Sequence, residues 1–87
     1  MAVIKAFKVA GVRMWIFSGD HNPPHFHAER VGEWSVKVHF LEAAEGLFRA
    51  LKPPNARIDG TDRRAIEEGV LRHREALLLE WEACQGN

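Results

Sequence analysis

Cysteine is nearly missing from this sequence. Cys84 stands alone among 87 residues, which excludes an internal disulfide and any cysteine-rich zinc module. Long apolar runs are missing too, so no stretch approaches the ~20 residues that span a bilayer. At the N-terminus, "MAVIKAFKVAG" carries lysine on both sides of a short apolar run, which does not suit a secretory leader. The expected location is the cytoplasm, with no membrane partner. Net charge is also lacking: twelve Lys and Arg balance twelve Asp and Glu. A neutral total gives no general pull toward nucleic acid. The arginine-bearing segments lack interleaved aromatics, and no helix-turn-helix signature is visible, so DNA binding is not indicated. Two of those arginines, Arg63 and Arg64, lie four residues before Glu67 and Glu68, and helical pairing accounts for them. There is no internal repeat and no low-complexity tract.

What is present fits one small domain. Hydrophobic residues make up 46% and charged residues 28%, a composition that folds. The charge alternates mildly in blocks: basic to Arg13, acidic to Phe48, basic to Arg74 and acidic to the end. Residues 1–41 read as strand-rich, 42–60 as irregular and 61–84 as helix. The expected fold is α+β: a mainly antiparallel sheet of about four strands packed on one long C-terminal helix. "VIKAFKV" and "VRMWIFS" read as a hairpin turning at Ala10–Gly11. A second hairpin follows, turning at Val31–Gly32–Glu33 with Arg30 opposite Trp34. This register puts Phe26, Ala28, Trp34, Val36, Val38 and Phe40 on one face. The other face receives His25, His27, Glu29, Ser35, Lys37 and His39. A one-residue slip would mix the two sets.

A short helix is expected over Leu41–Leu51, ended by Pro53–Pro54. Thr61 is the expected N-cap of the long helix. Its apolar stripe is Ile66, Val70, His73, Leu77, Trp81 and Cys84, broadened by Leu71 and Leu78. Gln85–Gly86–Asn87 reads as its natural end.

The chemistry concentrates in "GDHNPPHFHAE". His21, His25 and His27 lie within seven residues of one another around two prolines. His25 and His27 alternate onto one strand face, and His39 joins from the neighbouring strand. The Pro23–Pro24 bend is expected to hold His21 over them. Imidazole ligates zinc, iron, nickel and copper, so His21, His25, His27 and His39 are candidate ligands of a divalent transition metal such as zinc. Glu29, on the same face, is a candidate ligand or base. A metal-free alternative uses His25 or His27 as acid and base, with Lys37 or Arg30 holding phosphate. The structural alternative is that these rings merely satisfy backbone carbonyls around the prolines. His73, within the helix stripe, reads as a partly buried packing residue.

"FKVAGVRMWIFS", "HNPPHFHAE" and "HREALLLEW" together resemble the small bacterial domains of unknown function of family 4160. The matching residues are His21, Pro23, Pro24, His25 and His27, with His73, Arg74, Glu75 and Trp81 in the helix. The resemblance implies a short stand-alone bacterial protein, often encoded beside another small protein and grouped with toxin–antitoxin-like pairs. It implies no particular activity. The expected partner is a second copy or a cognate small protein from an adjacent gene. The aromatic load agrees with association, since Trp15, Phe17, Phe48 and Trp81 are many for so small a core.

Overall fold

The computed structural model describes residues 1–86. Five strands form one antiparallel meander: β1 (Ala2–Val3), β2 (Arg13–Ile16), β3 (Phe26–Arg30), β4 (Trp34–Val38) and β5 (Phe48–Lys52). A 3₁₀ turn, Ala44–Gly46, precedes β5, and the helix α1 spans Gly60–Cys84. The fold is therefore α+β, with five strands rather than about four. Among the described residues, no helix is long and apolar enough to cross a membrane.

The β3–β4 hairpin has the register that its alternation dictates. Arg30 faces Trp34, Ala28 faces Val36 and Phe26 faces Val38. Phe26, Ala28, Trp34, Val36, Val38 and Phe40 are all buried, in one cluster with Ile66, Val70, Leu77 and Trp81 of α1. Polar side chains on the opposite face stay in or near water, as a half-covered antiparallel sheet requires.

Several expectations are corrected. Only Ala2 and Val3 of the first segment pair with β2. The chain then leaves the sheet, because the Lys5 and Ala6 amides each donate to the Glu80 carboxylate of α1 at 2.8 Å. The tight turn at Ala10–Gly11 does form, closed by Val12 N donating to Val9 O at 3.0 Å. The helix expected over Leu41–Leu51 is instead the 3₁₀ turn followed by β5, whose Arg49 and Phe48 pair with Lys37 and Val38. The stretch read as irregular, 42–60, thus holds an edge strand. Asp59, rather than Thr61, caps α1: its side chain accepts from the Thr61 amide. Leu71 does not broaden the buried stripe and is 65% exposed, whereas Leu78 is partly buried against the core. The expected helix end reaches Asn87, which lies outside the described residues.

Specific contacts tie α1 to the sheet and to the N-terminal segment. Arg30 makes a bidentate pair with buried Asp62, both N···O distances being 2.8 Å. That hydrogen bond raises the Arg30 pKa above its usual value. Arg30 also donates to Ala10 O at 3.0 Å, so it is committed to structure and is not a free phosphate ligand. Gly69, buried within α1, lies where any Cβ would overlap the Phe7 ring. A side chain there would push the segment 5–7 off the helix. Phe7 in turn stacks on His73 at 5.9 Å between centroids, so His73 packs against the N-terminal segment, at a point where α1 departs from helical dihedrals.

Candidate metal centre

The connection between β2 and β3 is a turn fixed by its own carboxylate. Asp20 Oδ2 accepts from the Phe17 amide at 3.1 Å, and Asp20 N donates to Phe17 O at 3.4 Å. Gly19, at φ +82°, permits the reversal. The end of α1 clamps this turn. Gln85 Oε1 accepts from Gly19 N at 2.9 Å, and Gln85 Nε2 donates to Phe17 O at 3.2 Å. The Asp20 carboxylate is held at the end of the sheet by these bonds.

His27 projects from β3 toward it, with Nε2 3.1 Å from Asp20 Oδ2. His25, just before β3, places Nε2 at 3.7 Å from the same oxygen. Its Nδ1 lies 2.9 Å from Pro23 O. That carbonyl can only accept, so Nδ1 carries the proton and Nε2 presents a lone pair. Nε2 is buried and has no hydrogen-bond partner among the described residues. A ligating histidine is commonly oriented by a second bond of this kind. One ligand atom from each of Asp20, His25 and His27 lies within 4.8 Å of the others. Bonds of ~2.0–2.1 Å put tetrahedral ligand atoms roughly 3.3 Å apart, so small side-chain adjustments close the set on an ion.

Aromatic walls surround the imidazoles. His27 lies against Trp15 at 5.6 Å and meets Phe17 edge-on at 4.9 Å. His25 contacts His39 at 5.3 Å and Trp81 at 5.4 Å. A cavity of about 370 Å³, lined in part by Asp20, Asn22, Pro24, Trp81 and Glu82, reaches the Asp20 side of the cluster, while neither His25 nor His27 lines it.

The sequence candidates divide accordingly. His25 and His27 lie together, their ring centroids 5.1 Å apart. His25 is buried against α1 rather than displayed on the open sheet face. It precedes β3, so strand alternation does not govern it. His21 is exposed and is not part of the cluster. The Pro23 carbonyl orients His25, and among the described residues no hydrogen bond or ring contact holds His21 over the other rings. His39 stacks on His25 but stands outside the ligand group. Glu29 is drawn to Arg13 at 3.5 Å. Lys37 is exposed opposite His27. Asp20 is the residue that sequence reasoning passed over. Its signal was a carboxylate in a Gly-Asp turn directly before the histidines.

Burial lowers the His27 pKa, outweighing the hydrogen bond and charge of Asp20, which raise it. Burial also lowers that of His39, aided by His25 and Arg49. Both values fall below the ordinary 6.5, so the unfolded chain binds more protons at mildly acidic pH. Stability is therefore complete above pH 6.5 and declines as the pH falls through the lower, folded-state values. Thermal unfolding of the metal-free protein between pH 7.5 and 5.5 (approximate limits) should show this decline. His39→Gln should flatten it, and an unchanged slope would remove His39 from the explanation.

The family described as "Domain of unknown function (DUF4160)" matches residues 11–82. That span covers β2 through most of α1 and includes Asp20, His25 and His27. No curated protein matches the chain, and no solved structure does. With most of its length matched, the chain belongs to the DUF4160 family of domains of unknown function.

Proposed function

We propose that this protein binds one divalent transition metal, zinc by preference, at Asp20, His25 and His27, and uses it as a hydrolytic centre. The observation that carries this reading is the buried His25 Nε2. It has no hydrogen-bond partner among the described residues, its lone pair is fixed by Pro23 O, and it lies beside a second imidazole and a carboxylate. A buried polar atom left unpaired is costly, and a metal ion satisfies it. Two imidazoles and one carboxylate leave coordination positions open for water, the arrangement of catalytic rather than structural zinc. Held by Asp20, His25 and His27, a bound metal would supply a water of lowered pKa as the nucleophile for ester hydrolysis. To ligate through Nε2, His27 must move to Nδ1 the proton it donates to Asp20, and protonation of the ring in acid competes with the metal. The test is hydrolysis of an activated phosphodiester, bis(p-nitrophenyl) phosphate, by the zinc-loaded protein. Turnover should stop with EDTA and in His27→Ala. Turnover indifferent to both would refute the hydrolytic reading.

A second reading, toxin–antitoxin-like association with a cognate small protein or a second copy, draws on the outer side of α1. Leu71 and Leu79 are 65% and 67% exposed there. They stand eight residues apart, about 12 Å along the helix axis, and exposed apolar side chains on one element suit a contact surface. Sedimentation at micromolar concentration, alone and with the product of the adjacent gene, should show a complex that Leu71→Glu dissolves. Monomers in both runs would end this reading.

A further inference from the structure

We infer that the uncovered face of the sheet binds single-stranded nucleic acid. The helix covers one face only. Across the other, the register aligns Trp15, His27, Lys37 and Arg49 in a single row over four strands. The adjacent row is Arg13, Glu29, Ser35 and Lys52. Phe17 extends β2 at the end nearer Asp20, 42% exposed and edge-on to both Trp15 and His27.

This face carries four cations and the single acid Glu29, although the chain as a whole is neutral. The carboxylates of Glu42 and Asp20 reach Arg49 and His27 from neighbouring turns, and α1 carries six acids against four arginines. Lys37 and Lys52 form no salt bridge among the described residues. Arg13 and Arg49 hold Glu29 and Glu42 at 3.5 and 3.6 Å, and exposed pairs this long are cheaply exchanged for phosphate. A groove of about 230 Å³ runs between Trp15, His27, Lys37 and Lys52.

Aromatic rings set among cations on an open sheet match the needs of an unpaired strand. Phe17 offers its ring to a base, Trp15 already carries His27 at 5.6 Å and the Arg13 guanidinium at 5.5 Å from its ring centre, and phosphates meet the cations. A duplex keeps its base faces stacked on one another and offers none to Trp15 or Phe17. An acidic peptide would satisfy the lysines and leave the rings without a partner.

His27 belongs both to this row and to the Asp20 cluster. A strand lying along the row therefore passes the proposed metal. As an assignment of substrate class, the inference rests on the metal reading. As binding, it stands without metal, and measurement in EDTA separates the two.

The probes are fluorescein-labelled twelve-nucleotide oligo(dT) and oligo(U), a duplex of equal length, and a poly-glutamate peptide. Anisotropy is read in EDTA at several salt concentrations. Both single strands should bind and the duplex and peptide should bind at least about tenfold more weakly. Phe17→Ala should weaken binding about fivefold or more, the lower end for one lost stacking contact. Lys37→Ala combined with Lys52→Ala should reduce the slope of log K on log salt by about 1.4, for two lost phosphate contacts. Arg64→Ala with Arg72→Ala removes two cations from α1 and should change nothing. Near-ultraviolet circular dichroism checks that each variant is folded. Absence of binding by both single strands would overturn the inference. So would equal binding of duplex or peptide, or a helix variant as impaired as the sheet variant. Single-strand binding in EDTA with no metal uptake would keep this surface and reject the hydrolytic centre.

Discussion

His25→Ala is expected to weaken metal binding by more than 100-fold. The size follows from the ligand count. Structural zinc sites gain roughly 10–16 kcal/mol from four ligands, about 3 kcal/mol each, which is more than a factor of 100. The donor itself is well prepared. Nε2 is buried, and the Nδ1 contact to Pro23 O at 2.9 Å fixes the ring's orientation. His27→Ala should cost a similar amount, offset slightly because the His27–Asp20 hydrogen bond no longer has to be given up. Asp20→Asn keeps the shape and removes the charge. It should still cost at least tenfold, since the amide is a poorer ligand than the carboxylate for such an ion. Calorimetric titration of zinc into protein without a histidine tag measures all three. Equal affinity in wild type and His25→Ala would show that the ion, if bound, sits elsewhere.

Leu77→Ala should remove much of the protein's stability. Leu77 is fully buried in the cluster that joins α1 to the sheet. Truncating a buried leucine costs about 2–5 kcal/mol, the transfer term plus the cavity left behind. A chain of this length has about 4–13 kcal/mol in total, at ~0.05–0.15 kcal/mol per residue. The denaturation midpoint should fall steeply while the m-value stays constant. Leu79→Ala, two residues on and 67% exposed, should change stability by less than about 0.5 kcal/mol. A comparable loss in both variants would contradict the packing described.

Legibility from sequence depended on whether local pattern or distant partners decided the outcome. The β3–β4 hairpin was readable because six apolar residues alternate with polar ones over two strands, and only one register separates them. The helix was readable from its three-and-four spacing. β5 was not. "FRALK" has no β-branched residue and follows the helix-favouring "EAAEG", so its strand conformation comes from pairing with β4. β1 was overestimated because the bonds that pull Lys5 and Ala6 away come from Glu80, 75 and 74 residues distant.

The site followed the same division. That His25 and His27 lie close together was readable from their separation by one residue, and the ring distance of 5.1 Å agrees. Choosing between His21 and Asp20 was not. Adjacent loop residues have no periodicity, and the choice was made by the Phe17 amide and by Gln85 across the fold. The orientation of His25 by Pro23 O was equally invisible, although the Pro-Pro bend that supplies this carbonyl was plain in the sequence.

Elemental analysis of protein purified without a tag, after incubation with zinc and removal of excess, tests the central claim most directly. Wild type should retain one zinc per chain. The His25→Ala, His27→Ala double variant and Asp20→Asn should retain little, and His21→Ala should retain as much as wild type. A wild type that emerges metal-free, or a His21→Ala variant as depleted as Asp20→Asn, would contradict the assignment of the centre to Asp20, His25 and His27.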